Sequence, residues 1–204
     1  MRVISELISG ILQLFIFTLI PLFFYVLKNK GINGFSDSIG LKKPQKKTIL
    51  FGIVISFLFA VSSFLLFYLF DFVEYMKSQE TVAGGIRELG FGLEAIIIVL
   101  IKSIVTTGLS EEILFRGFIG KRLYEKIGFV YGNLIQGLIF GLLHGIILFE
   151  LNLVLAVIMT LISGIIGYLF GYLNEHLGNG SIVPSWTAHS LGNVISFSWI
   201  AFIL

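Results

Sequence analysis

The chain has 204 residues, of which 56% are hydrophobic and 13% charged, with a formal net charge of +2. A water-facing domain carries roughly twice that charged fraction, so composition excludes a soluble globule and indicates an integral membrane protein of mean hydropathy +0.99. The small net charge offers no surface for nucleic acid, and a chain without cysteine has no disulfide, thiol nucleophile, thiolate metal site or lipidated Cys.

Spans of about 20 apolar residues leave room for about six to eight crossings, which predicts an all-α polytopic transmembrane helix bundle forming one integral membrane domain over residues 1–204. The first apolar stretch, from Ile4 to Leu27, outruns the ~7–15-residue core of a secretory signal. It ends at Lys28 and Lys30 without a small-residue cleavage site, and reads as a retained helix. Residues 31–47 are polar and carry Lys42, Lys43, Lys46 and Lys47; the positive-inside rule puts loop 28–47 in the cytoplasm. A second span, Thr48 to Phe70, opens onto a mixed-charge loop, Asp71 to Gly90, suited to the outer side.

The third segment runs from Phe91 to Tyr124. At ~1.5 Å per residue it exceeds a hydrocarbon core of about 30 Å, so it is expected to tilt, to break near Gly108 or to protrude. Lys121, Arg122 and Lys126 mark loop 121–129 as cytoplasmic. A fourth span, Phe129 to Leu148, turns around Glu150 and Asn152; a fifth runs from Leu153 to Leu173; residues 174–180 form the next cytoplasmic turn. Pro184 fits a first helical turn, where a missing N–H is tolerated, and the last span continues to Leu204. That makes six long segments, or seven or eight if the third is split or a re-entrant piece is present.

Charge at mid-membrane costs several kcal/mol on insertion scales, roughly 2.5–3.5, so the ionisable residues inside the spans are the informative ones. Glu94 lies near a helix end and reaches the interface. Lys102 either snorkels or neutralises a carboxylate on a neighbouring helix. The remainder form pairs. Glu111-Glu112 with Arg116 places a carboxylate and a guanidinium one helical turn apart, with Glu on the favourable N-terminal side. Adjacent residues of a helix point in different directions, so one carboxylate can be held by Arg116 while the other faces a reaction centre. Phe140 and His144 are a second i, i+4 pair. Glu111 and His144 are nearly equidistant from the turn at Ile127 and Gly128, which sets them at matching depth across an antiparallel hairpin. His189 and Asn193 are a third pair, at a depth that counts shallower than His144. His176 falls in a cytoplasmic turn and reads as solvated.

Two His, a spare Glu and an Asn suit water activation. A buried Glu can serve as general base, a neighbouring His can orient the water and pass its proton to the leaving amine, and His189 with Asn193 can donate to the oxyanion. A metal-based assembly is the alternative, with Glu111, His144 and His189 as the two-His, one-carboxylate ligand set for zinc or another divalent metal. The H-E-x-x-H signature of zinc peptidases is absent. Ser110 and Ser185 lie outside any G-x-S-x-G context. Gly137, Gly141 and Gly145, and Gly167 and Gly171, repeat at four-residue spacing and permit close helix contact, expected within one chain rather than in a homodimer.

The ordered set Glu111-Glu112-x-x-x-Arg116, Phe140-x-x-x-His144 and His189-x-x-x-Asn193 resembles the three signatures of the CPBP family, the C-a-a-X protease and bacteriocin-processing intramembrane proteases, also called Abi. The resemblance covers residues 91–204. It implies a multi-helix membrane endopeptidase whose cavity opens toward the cytoplasm. Glu111 would be the catalytic base, His144 its partner in water activation, and His189 with Asn193 the oxyanion or ligand pair. Glu112 and Arg116 would be structural support, and Phe140 would pack against the site. Members are labelled metalloproteases. One branch trims prenylated proteins; bacterial branches are linked to peptide maturation, bacteriocin self-immunity and membrane-protein cleavage. A short chain without appended domains looks like the bacterial branch, hence a bacterial plasma membrane and a peptide or protein substrate arriving from the membrane or cytoplasmic side. Two rivals make other expectations: a transporter or channel would show inverted repeats, of which the sequence has no sign, and a non-catalytic scaffold would use the buried polar cluster for folding alone.

Overall fold

A computed structural model describes residues 2–204 as helices and short connections. The six expected long segments are all helical: α1 Arg2–Asn29, α2 Lys46–Leu69, α3 Leu93–Ile127, α4 Phe129–Ile146, α5 Leu153–Leu177 and α6 Val183–Phe202. Single helical turns at Phe35–Ser38, Val73–Met76 and Val82–Arg87 interrupt the longer connections. Helices α1 to α5 are long and apolar enough to cross a membrane. Helix α6 is as long as a span but is studded with His189, Asn193 and serines; it packs against α2, α3 and the Val82–Arg87 turn, and that enclosure is what lets a polar helix lie in the bundle.

Polarity runs opposite to that of a soluble protein. Phe15, Phe23, Leu50, Phe57, Leu134, Leu138, Leu161 and Ile165 are exposed, while Glu112, Arg116, Asn133, Gln136, Asn174 and Ser185 are buried. The outward face can therefore meet lipid, and the polar side chains find partners inside. Helices α4 and α5 make the most extensive contact of any pair, and the glycine repeats explain it. A Cβ on Gly137 would stand 2.7 Å from the Gly164 carbonyl oxygen, and one on Gly141 or Gly145 would run into Thr160. The repeats are thus used within the chain. Helix α1, which buries little else, docks through one stripe. Glu6 pairs with Lys102 at 2.5 Å, Gly10 lies against Thr106, and the Gln13 amide donates to the Thr106 carbonyl at 2.7 Å and to Ser110 Oγ at 3.2 Å. Lys102 therefore neutralises a neighbouring carboxylate, the second of the two options its sequence position left open.

Helix α3 narrows the alternatives that its length left open. It neither splits nor breaks at Gly108 but continues for 35 residues. Two π-helical stretches, Ile101–Leu109 and Ile113–Gly120, flank the turn Ser110–Glu112. Wider i→i+5 turns pack more residues into a given length than α turns do, and such stretches often mark functional sites.

The basic loops gather at one end. The Ile182 N–H donates to the Gly40 carbonyl at 2.9 Å and Ser181 Oγ to the Lys42 carbonyl at 2.6 Å. Lys121 binds Glu175 at 2.7 Å and the Gly180 carbonyl at 3.0 Å. Gly40 is left-handed (φ 78°), and a Cβ there would lie 2.6 Å from the Gly180 oxygen, so glycine is required at this junction. Within segment 174–182 Asn174, Ser181 and Ile182 are at most 1% exposed, while His176, Leu177 and Asn179 remain exposed. His189 and His144 nonetheless line one cavity, so the two meet although their counts from the turns differ. At the opposite end Arg87 donates to the Ile200 carbonyl at 3.2 Å, and Leu148, Leu155 and Met159 pack with Phe67, Phe72 and Tyr75.

Candidate active site

The neighbouring carboxylates of α3 diverge. Glu112 is fully enclosed (0% exposed) and meets Arg116 Nη1 at 3.0 Å. Ser185 Oγ donates to its Oε2 at 2.5 Å, and His189 Nδ1 approaches its Oε1 at 3.0 Å. Behind it, the Asn174 amide donates to Ser185 Oγ at 2.7 Å, while Asn174 Oδ1 accepts the Ser185 N–H at 3.3 Å. Arg116 is 1% exposed, and its guanidinium carbon stands 4.0 Å from the Phe140 ring centroid and 5.3 Å from that of Phe170. A buried ion pair survives only with such supporting contacts, and here hydroxyl, imidazole and two aromatic faces supply them.

Glu111 points elsewhere. It is 18% exposed and lines a cavity of about 370 Å³ together with His144, His189, Asn193 and Thr107. Its Oε2 has no hydrogen-bond partner although that atom is shielded by the protein; the nearest basic nitrogen is His189 Nε2 at 3.9 Å. The three sequence pairs, from α3, α4 and α6, therefore converge on one space. Both imidazoles have one nitrogen committed. His144 Nδ1 lies 2.8 Å from the Phe140 carbonyl and His189 Nδ1 3.0 Å from Glu112. Carbonyl and carboxylate oxygens only accept, so Nδ1 carries the proton in each ring, leaving Nε2 to the cavity. Phe140 packs against this arrangement, with ring centroids 4.4 Å from His144 and 6.0 Å from His189.

Among the described residues no three His, Cys, Asp or Glu side chains are grouped to hold a metal ion. Ser110 and Ser185 are both fully buried, Ser110 bonded to the Thr106 carbonyl and Ser185 to Glu112, so neither stands free as a nucleophile. His176 is exposed and stacks on Phe129 and Tyr172, away from the site.

Sequence reasoning missed Ser185, Asn174 and Thr107 as members of this network. For two of them a signal was present. Ser185 precedes His189 by four residues, as His189 precedes Asn193, and Thr107 precedes Glu111 by four; each lies on the helical face of a motif residue. Nothing in the spacing singles out Asn174, which reaches Ser185 across the turn between α5 and α6.

The cavity extends from Glu111 toward Tyr75, Met76 and Glu80–Ala83, at the end of the bundle away from the basic loops. On the basic side it is closed by the Glu112–Arg116–Ser185 layer. No curated protein and no solved structure matches the chain. A family model described as type II CAAX prenyl endopeptidase Rce1-like matches residues 93–195, half of the chain, and spans all three motif pairs. The chain belongs to the Rce1-like family of membrane-embedded proteases.

Proposed function

We propose that this protein is an intramembrane endopeptidase that hydrolyses a peptide bond with water activated between Glu111 and His144. The observation that carries the reading is the unpartnered Glu111 Oε2 in a cavity that also receives both histidines and Asn193. A carboxylate oxygen shielded from solvent and left without a protein partner is suited to bind and deprotonate a water. His144, with its proton on Nδ1, accepts from the same water through Nε2 and orients it. The hydroxide equivalent attacks the peptide carbonyl carbon while Glu111 retains the proton. The oxyanion that develops takes a hydrogen bond from the Asn193 amide, with His189 Nε2 facing the same cavity as its neighbour in the oxyanion pair. Collapse breaks the C–N bond, the proton passes by way of His144 to the leaving amine, and a carboxylate and an amine depart. Glu112 and Arg116 hold His189 in place throughout.

The substrate is a peptide or protein segment delivered through the bilayer, either a prenylated C-terminus of the type named in the family description or the precursor of a secreted peptide. Purified protein in proteoliposomes, presented with both classes, distinguishes them: cleavage of one class alone assigns the substrate, and cleavage of neither contradicts the peptidase reading. A chelator series on the active preparation is expected to leave turnover unchanged. Orientation follows from the basic loops: residues 28–47 and 121–129 lie on the cytoplasmic side of a bacterial plasma membrane, and the cavity extends toward the outer leaflet. Because the chain has no native cysteine, Lys43→Cys and Glu80→Cys can be labelled in intact cells with an impermeant reagent. Labelling of position 80 and not 43 is expected; the reverse would invert the topology.

A further inference from the structure

Thr107 belongs to no motif pair, yet it lines the cavity and touches one of its key amides. Asn193 Nδ2 donates to Thr107 Oγ1 at 2.7 Å. Thr107 Oγ1 in turn donates to the Lys102 carbonyl at 2.8 Å. A hydroxyl has one hydrogen, and this one is spent on the carbonyl, so toward Asn193 the oxygen can only accept. The consequence is directional. An amide can turn over and exchange its nitrogen and oxygen, but with an acceptor-only neighbour the nitrogen must face Thr107.

The π-helical turn makes this possible. Thr107 reaches the carbonyl five residues back, within the stretch Ile101–Leu109, and Thr106 does likewise toward Ile101 at 3.4 Å. Helix α3 thereby presents Thr107 and Glu111, one turn apart, to the same cavity. Among the described residues the second Asn193 N–H has no protein partner.

We propose that the Thr107 hydroxyl is a positioning group for Asn193: it anchors the amide nitrogen through one hydrogen so that the other is available to the substrate oxyanion. This rests on the reading of Asn193 as an oxyanion donor. Misplacing a group that acts only in the transition state lowers kcat by up to about 10²-fold and leaves KM little changed.

The test uses purified protein and a cleaved peptide, comparing Thr107→Val, Thr107→Ala, Thr107→Ser, Asn193→Ala and the double variant Thr107→Val/Asn193→Ala, each checked for its unfolding temperature. Thr107→Val and Thr107→Ala are expected to lose kcat by about ten- to a hundredfold with KM within about twofold. Thr107→Ser, which keeps the hydroxyl, restores kcat to within about threefold, and the double variant is no slower than Asn193→Ala. Unchanged kcat in both Thr107→Val and Thr107→Ala, equal loss in Thr107→Ser, or additive losses in the double variant would overturn the proposal while leaving the role of Asn193 intact. Full activity in Asn193→Ala would overturn both. If Thr107→Val does not fold, Thr107→Ala against Thr107→Ser decides.

Discussion

Glu111 and Glu112 are joined by one peptide bond and occupy opposite sides of a boundary. On the basic side is a closed layer in which Glu112 is held by the Arg116 guanidinium and the Ser185 hydroxyl, with Asn174 behind Ser185, all at no more than 1% exposure. On the other side is an open layer in which Glu111, His144 and Asn193 line a cavity and Glu111 keeps an oxygen free. His189 spans the two, with Nδ1 in the closed layer and Nε2 3.9 Å from Glu111. The difference teaches that chemical type does not assign a role. The same side chain is a structural element where its valences are filled by protein, and a candidate base where one valence is left for water.

Substitutions in the closed layer test whether it is structural. Removing one partner of a buried pair leaves the other charged and unpaired, at a cost of about 3–5 kcal/mol. Glu112→Ala is therefore expected to lower the unfolding temperature sharply in detergent, more than any change to Glu111. A Glu112→Ala protein as stable as the parent would erase the distinction between the layers. The α4–α5 contact holds Phe140 and His144 against both layers, and Gly141→Val would push a side chain into Thr160. Overpacking of this kind costs about 1–3 kcal/mol, and thermal unfolding should show a loss intermediate between Glu112→Ala and the parent. The smallest effect is expected outside both layers. Glu6 pairs with Lys102 at 2.5 Å but is about a third exposed, so Glu6→Gln should cost no more than about 1 kcal/mol. Turnover in Glu6→Gln should match the parent; a large loss would extend the catalytic machinery to α1.

Much of this division is legible in the amino-acid sequence. The i, i+4 spacing of Glu112 and Arg116 pairs them on one face, and the equal distance of Glu111 and His144 from the α3–α4 turn brings them to one level. Apolar runs locate five spans, and α6 emerges despite its polarity because Pro184 and the His189–Asn193 pair mark a helix. What could not be read has a common physical origin. Counting residues from a turn presumes that the turn lies at the membrane surface and that every turn is α-helical. His189 and His144 line one cavity although their counts from the turns differ, and Asn174 meets Ser185 through a contact between elements that no spacing announces. Helix α3 is π-helical on both sides of Ser110–Glu112 and continues for 35 residues without a break at Gly108, one of the three outcomes its length had left open. The direction of the cavity is a tertiary property as well: it depends on which side of Glu111 the other helices close.

The central claim is that Glu111 works in chemistry and Glu112 in structure. It is tested most directly by measuring peptide turnover in folded Glu111→Gln protein alongside its unfolding temperature. The predicted result is a loss of about 10³-fold or more in kcat, within the range for removal of a general base, at an unchanged unfolding temperature. Turnover equal to the parent in a properly folded Glu111→Gln protein would contradict it.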